Sequence, residues 1–392
     1  MLERRTKEDK PVLAICYDFD KTLSPDDMQA QGYIQEVYDG DVKEFWDECR
    51  KLAEDNEMDS NLAYMRKMVE YAHGRILLTK KTLREYGEKV VLFPGVEEWF
   101  ERIREFGKEY DVIVEHYIIS SGLKEMIEGT SIAKSGAFEQ IYASSFLFDD
   151  KEVPIWPAQA INYTNKTQFL FRIEKGVLDV NDSGVNDYFE PEKIRVPFRN
   201  IVYIGDSMTD IPCMKLVNAN GGHSIAVYDN NTLDKTKAFR MLTDKRIKYF
   251  APADYTDGSD LDKLVKAIII RTASNEVLEE KYFDCKKECD VAKNSDTVKY
   301  SEEHMKMIIS LDGSRNFETT HTIMPKLLAV DIWSEEEIDM LLEIALNRHP
   351  VRYLLNDDDV NAFYRKIIRM LKKPTEKAKK VMEYFNKELF LI

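Results

Sequence analysis

This sequence predicts a doubly wound α/β fold on a parallel sheet, with an all-helical insert after the first strand and a helical C-terminal accessory region. Three observations carry that prediction. Continuous apolar runs rich in strand formers recur between Val12 and Tyr228, and helical patterns separate them. Three of the runs also end in acidic, hydroxyl or glycine residues, at the strand ends where open α/β sheets bind ligands. The 392 residues leave room for two or three domains at ~150 residues each.

Val12 to Tyr17 (VLAICY) reads as a strand buried on both faces. From Asp26 to Lys89 the rhythm breaks. Amphipathic segments such as Val42 to Glu54 and Asn61 to Ala72 appear with no buried strand, and a crossover that needs one helix has room for three or four. This stretch reads as a helical lid. Strand patterns resume at Val112 to Ile119, Ile201 to Ile204 and Ser224 to Tyr228, with helices at Leu123 to Gly129, Thr167 to Lys175 and Asp210 to Val217. The core pattern ends near Arg271. Beyond it lie helical candidates at Ser334 to Leu346, with acidic residues in its first turn, and Val360 to Leu371. The expected organisation is a discontinuous catalytic core (1–25 and 90–271), a helical cap (26–89) and an accessory domain (272–392), without internal repeats or low-complexity tracts.

Apolar residues at 44% and charged residues at 32% fit a globular chain rather than a disordered one. A formal net charge of −15 repels nucleic acid and anionic membranes, so neither is an expected partner, and a phosphorylated ligand needs a local cation or a metal. Apolar runs such as Ala267 to Ile270 fall far short of the ~20 residues of a membrane span. The opening MLERRTKEDK lacks the apolar stretch of a secretory signal. Five cysteines are an odd count. Cys285 and Cys289 could form a zinc half-site but have no matching second pair, and ordinary reduced thiols in a cytoplasmic protein are expected. Oligomeric state is left open.

The first strand runs into Asp18-Phe19-Asp20-Lys21-Thr22-Leu23. Side chains alternate along a strand, so Asp18 and Asp20 can point to one side at its end, where two carboxylates call for a cation or a shared proton. One can attack phosphorus while the other handles the proton. The second strand ends in Ser120-Ser121-Gly122, which can offer an O–H and backbone N–H groups to an anion or can simply cap a helix. The third ends in Gly205-Asp206-Ser207-Met208-Thr209-Asp210, a second acidic cluster at a second strand end. There Asp206 is a candidate metal ligand. Asp210 either binds the metal, directly or through water, or holds a lysine in place. Lys151, Lys166 and Lys175 are candidates for a fixed cation, with Lys166 preferred because it opens an amphipathic helix. In the insert, Arg66, Arg75 and Lys80 could read an acid group of a substrate, although solvated helix charges are the simpler account.

As a set these residues resemble the haloacid dehalogenase superfamily and, within it, the phosphoserine-phosphatase-like hydrolases. Asp18 to Leu23 matches the first motif, D-x-D-x-T-L. Ser120 matches the second-motif serine, Lys166 the third-motif lysine, and Gly205 to Asp210 the fourth motif, G-D-x-x-x-D. The likeness covers Val12 to Arg271, and the helical insert matches the family's cap. It implies a Rossmann-like core and a Mg²⁺-dependent phosphatase acting on a small phosphorylated metabolite. Asp18 would be the nucleophile that becomes phosphorylated, and Asp20 the acid and then the base. Thr22, Ser120, Ser121, Gly122 and Lys166 would hold the phosphoryl group. Asp18, Asp20 (through its backbone carbonyl), Asp206 and Asp210 would form the metal site. Ser121 and Ser207 stand where many relatives have Gly, and both are small. Asp20 argues against the dehalogenase branch, which does not need that acid. Asp20-Lys21-Thr22 is also similar to the D-K-T of ion-pumping ATPases but lacks the following Gly-Thr. The alternatives are a phosphotransferase using the same intermediate, or an interaction protein whose C-terminal region is the binding module.

Overall fold

The computed structural model describes residues 2–232, 234–293 and 296–385. The chain divides into two compact units, Met1–Glu280 and Lys281–Ile392.

The first unit is built on a seven-stranded sheet: β1 (Val12–Tyr17), β2 (Ile113–Leu123), β3 (Gln140–Phe148), β4 (Pro154–Gln159), β5 (Ile201–Gly205), β6 (His223–Tyr228) and β7 (Tyr249–Pro252). The spatial order is β4-β3-β2-β1-β5-β6-β7, parallel throughout except for β4, which runs antiparallel to β3 at the edge. β1 therefore lies inside the sheet. The chain winds outward on one side through β2, β3 and β4, then crosses back and winds outward on the other through β5, β6 and β7. The reversal between β1 and β5 is a topological switch point, which opens a crevice at the carboxyl ends of those two strands.

Strand alternation divides the core between the two faces. Leu13, Ile15 and Tyr17 of β1 join Val202 and Ile204 of β5 in one apolar cluster, while Val12, Ala14 and Cys16 join Ile201 and Tyr203 in the other. The expected strands at 12–17, 112–119, 201–204 and 224–228 are all present. The sequence reading missed β3, β4 and β7. β3 is interrupted by Ser144-Ser145, β4 holds two prolines that only an edge strand accepts, and β7 is four residues long and ends in proline.

Between β1 and β2 lie α1 (Tyr33–Val37), α2 (Val42–Asp55), α3 (Ser60–Ala72), α4 (Lys80–Gly87) and α5 (Val96–Glu109). Side chains open three of them: Asp41 accepts the Glu44 N–H, Asp59 those of Asn61 and Leu62, and Thr79 that of Thr82. Tyr33, Phe45, Met65 and Leu83 of these helices belong to the same apolar cluster as Leu13 and Ile15, so insert and sheet share one core. After β2 come α6 (Lys124–Gly129), α7 (Ser131–Lys134), α8 (Thr167–Lys175), α9 (Ile211–Ala219), α10 (Thr236–Thr243) and α11 (Asp260–Lys293). Phe169 and Ile173 of α8, Met214 and Val217 of α9 and Met241 of α10 cover the second sheet face.

The second unit is helical: α12 (Asp296–Asp312), α13 (Phe317–Leu328), α14 (Glu335–Asn347), α15 (His349–Tyr353), α16 (Asp358–Met370) and α17 (Glu376–Tyr384). It has its own core, which includes Leu311, Met324, Trp333, Leu341, Phe363 and Ile367. Ser334 opens α14 with a reciprocal capping box to Glu337. Among the described residues no helix is long and apolar enough to cross a membrane.

Candidate active site

β1 delivers Asp18 directly past its last residue, and the Asp18 N–H still donates to the Ile204 carbonyl of β5 at 2.9 Å. The chain then turns sharply. The N–H groups of Thr22, Leu23 and Ser24 all return to the Phe19 carbonyl, and Lys21 takes a left-handed conformation with φ 56°. By strand parity Asp18 falls on the face of Ala14 and Cys16, the face covered by α8 and α9.

Lys166 meets Asp18 there. Its side chain is fully buried, with Nζ 3.3 Å from Asp18 Oδ1 and 2.8 Å from Asp210 Oδ1. Burial opposes the ammonium, but the two carboxylates outweigh burial and hold Lys166 protonated. Asp210 follows the end of β5. Its Oδ1 accepts from Lys166 and, at 2.8 Å, from the Tyr203 hydroxyl, while its Oδ2 accepts the Ser207 N–H at 3.0 Å and the Ser207 hydroxyl at 2.9 Å. Burial alone would raise this carboxyl, yet Lys166 and these donors hold it below the usual carboxylate range. A Cβ on Gly205 would sit 2.6 Å from Asp210 Oδ2, so glycine there is what lets the carboxylate fold back on the strand.

Carboxylate oxygens of Asp18, Asp206 and Asp210 lie within 4.8 Å of one another. Asp206 Oδ2 takes the Lys237 ammonium of α10 at 3.0 Å. Burial, then the Asp210 charge, raises the Asp18 carboxyl to about 7 despite Lys166; burial raises Asp206 to about 6 despite Lys237. Burial disfavours ionised carboxylates, and a divalent cation bound among them relieves that cost. The donor set fits such a cation: ionised carboxylates are hard oxygen ligands. Among the described residues, Asp18 Oδ2 and Asp206 Oδ1 take no hydrogen bond, whereas each oxygen of Asp210 takes two. Asp210 is thus bound up in positioning Lys166 and the Ser207 turn.

The second strand end brings hydroxyl groups and a backbone turn to the same region. Pairing of β2 with β3 loses register between Ile119 and Leu123, so Ser120-Ser121-Gly122 leaves the regular ladder. Ser120 is fully buried, and its Oγ accepts the Gly122 N–H at 3.0 Å. The buried hydroxyl oxygens of Thr22 and Ser121 have no hydrogen-bond partner within the described structure, which is costly unless a ligand or water satisfies them. Asp20 stands apart from the acidic triad. Its Oδ1 accepts the Met28 N–H at 2.8 Å, and a Cβ on Gly122 would lie 2.9 Å from its Oδ2. Burial, followed by the charges of Asp27 and Asp18, pushes the Asp20 carboxyl well above the carboxylate range.

The structure separates the remaining candidates. Lys151 is exposed, and Lys175 donates to the Val185 and Asp187 carbonyls at 2.7 Å, away from the triad. Arg75 is paired with Asp39, and Lys80 lies over the Phe148 ring. Cys285 and Cys289 are exposed and join no group of three ligating side chains among the described residues. Sequence reasoning missed Tyr203, which reads as core filler in an apolar run, and Lys237, which carries no local signal. It also missed Asn61 and Tyr64 of α3. The Ser121 carbonyl accepts from the Tyr64 hydroxyl at 2.8 Å and from Asn61 Nδ2 at 3.4 Å, so the insert touches the turn at Ser121 directly.

Comparison with known proteins identifies the family. The family pattern described as haloacid dehalogenase-like hydrolase matches residues 15–215. An uncharacterized protein of Borreliella burgdorferi is 30% identical over 280 residues, covering 65% of this chain and 95% of that protein. Among solved structures, a HAD family hydrolase from Salmonella enterica subsp. enterica serovar Typhi is 16% identical, with a TM-score of 0.44 over 67% of this chain and 73% of that one. A probable phosphoserine phosphatase from Vibrio cholerae is 15% identical, with a TM-score of 0.42 over 68% and 67%. Since the pattern spans half of the chain and encloses Asp18, Ser120, Lys166, Asp206 and Asp210, the protein belongs to the haloacid dehalogenase-like hydrolases.

Proposed function

We propose that the protein is a Mg²⁺-dependent phosphatase that hydrolyses a small phosphorylated metabolite through a phosphoaspartate on Asp18. The observation that carries this reading is the buried contact of Lys166 with Asp18 and Asp210, in a triad whose Asp206 keeps Oδ1 without a hydrogen bond among the described residues and so can share a cation with Asp18. An Asp18 carboxylate oxygen attacks phosphorus, and the bond from phosphorus to the leaving oxygen breaks. Asp20, whose carboxyl burial raises beside Gly122, gives a proton to that oxygen. The resulting Asp20 carboxylate then takes a proton from water, whose oxygen attacks phosphorus, breaks the bond to Asp18 and releases inorganic phosphate. Lys166 and the hydroxyls of Thr22, Ser120 and Ser121 hold the phosphoryl oxygens. Asp18, the Asp20 carbonyl and Asp206 would hold Mg²⁺, with Asp210 supporting. When bound, the ion neutralises charge on the phosphoryl group.

The helices within 26–89 act as a lid that selects the leaving group; this reading rests on the contacts of Met28 with Asp20 and of Asn61 and Tyr64 with the Ser121 carbonyl. Five unpaired cysteines fit a reducing cytoplasm.

Mg²⁺-dependent release of phosphate from an aryl phosphate tests the proposal, together with intact-mass detection of a phosphoryl adduct on Asp18. The Asp18→Asn variant should lose at least ~10³ in kcat, since the nucleophile supplies several kcal/mol of barrier lowering. Near-normal turnover in that variant refutes the mechanism. Adding an alcohol and analysing products separates hydrolysis from phosphoryl transfer.

A further inference from the structure

α3 has a second use on a neighbouring face. While Asn61 and Tyr64 reach the Ser121 carbonyl, Leu62, Met65 and Arg66 line a cavity of ≈ 530 Å³ against Phe146 of β3 and Ile155 and Trp156 of β4. None of the residues proposed for phosphoryl transfer lines it. Its volume and apolar, aromatic wall are those of a small-molecule site.

Two features define the occupant. Trp156 is 70% exposed and Ile155 57%, so large apolar side chains are left in water at one spot, which a bound apolar body would cover. Arg66 is the one charged residue among those lining the cavity; its side chain is 64% exposed and its ion pair with Glu70 is loose, at 4.0 Å. In a chain of net charge −15, that guanidinium offers a local fork for a carboxylate. An extended peptide is a poor fit, because Pro154 and Pro157 remove N–H donors from β4 and blunt strand addition.

We propose that this cavity binds a small amphiphilic anion, a carboxylate with an apolar body. The apolar chain lies against Trp156, Ile155 and Leu62, and its head group pairs with Arg66. The proposal stands independently of the phosphatase reading.

Calorimetric titration of the full-length protein with decanoate, below its micelle concentration, provides the test, with decanol as the uncharged comparison. One saturable equivalent of decanoate is expected. Arg66→Gln should weaken decanoate about tenfold, the order of a charge-assisted hydrogen bond, and leave decanol unchanged. Leu62→Trp, which fills the cavity, should abolish binding of both. Trp156→Ala, at a side chain 70% exposed, should weaken both. Absence of saturable binding overturns the proposal, as does decanoate affinity that is unchanged in folded Leu62→Trp or Trp156→Ala protein.

Discussion

Lys166 divides its ammonium between Asp18 and Asp210, and this division gives the acidic residues different tasks. Asp210 has all its acceptor positions filled by protein donors, whereas among the described residues Asp206 takes a side-chain donor from Lys237 alone, a half-exposed side chain. Asp206→Asn should therefore raise the Mg²⁺ concentration for half-maximal activity, about tenfold or more, with little change in substrate KM at saturating Mg²⁺, because it removes a hard anionic ligand and leaves Ser120 and Lys166 in place. An unchanged Mg²⁺ midpoint would take Asp206 out of the metal shell. Gly122 offers a second test at this scale. Its missing Cβ is what lets the Asp20 carboxylate and Met28 approach β2, so Gly122→Ala must displace one of them. A shift of about 1 Å in an acid–base group can cost ~10²-fold. Gly122→Ala should lower kcat by at least ~10-fold while the urea unfolding midpoint moves little.

Among the elements, β2 carries both the turn at Ser121 and a buried charge network. Glu115 is buried and accepts from Arg195 at 2.8 and 2.6 Å and from Arg5 at 2.7 Å. Burial would raise its carboxyl, but Arg195 outweighs burial and lowers it. Arg195→Met should cost about 2 kcal/mol of stability at pH 7, because it removes two charge-assisted hydrogen bonds and leaves the buried Glu115 to Arg5 and the Tyr117 hydroxyl. The next residue, His116, lies between the Tyr17 hydroxyl at 3.0 Å and the Phe100 carbonyl at 3.2 Å, and burial pushes it down to about 3. Both shifts act in the same direction. A depressed folded pKa means that stability is complete above the unfolded value and is lost as pH falls through the folded one. For His116 the window runs from the ordinary ~6.5 down to about 3, and for Glu115 it begins at ~4.3. Between pH 7 and 4.5 the raised Asp18 and Asp206 carboxyls gain stability as pH falls, opposite to His116, so the test is the difference between two proteins. In urea unfolding, His116→Gln should lose less stability on acidification, or gain more, than the native protein; an equal pH dependence would mean that His116 is not a titrating group in this window.

For the whole molecule, the residues proposed for catalysis and the family match at 15–215 both lie within Met1–Glu280. The Borreliella burgdorferi protein is 95% covered by an alignment that takes in only 65% of this chain. The helical unit from Lys281 has an apolar core of its own. A chain ending at Glu280, once shown to be folded by a cooperative unfolding transition, should keep kcat within ~10-fold, which is ~1.4 kcal/mol of barrier. If the truncated protein folds but is inactive, a residue beyond Glu280 contributes to the site.

How much of this was legible beforehand depended on whether the signal was local. β1, β2, β5 and β6 announce themselves because strands buried on both faces are unbroken apolar runs, and Asp18, Ser120 and Asp206 stand out because they end such runs. Ser334 at the head of α14 is legible for the same reason: a cap bonds within its own turn. Edge strands β4 and β7 escape because an edge tolerates proline and shortness, so their sequences lack the pattern. Lys166 could be ranked among three lysines by sequence, but its burial between Asp18 and Asp210 exists only once α8 packs on the sheet. Tyr203, Lys237, Asn61 and Tyr64 join the site across gaps of sequence that no local pattern encodes. By itself the sequence determined the α/β class, the central strands and the residues at their ends, since backbone periodicity and strand termini are local properties. Only the tertiary structure decided which carboxylate is free to bind a cation, which is bound up in holding Lys166, and how the insert reaches the turn at Ser121, because charge balance and burial depend on every neighbour at once.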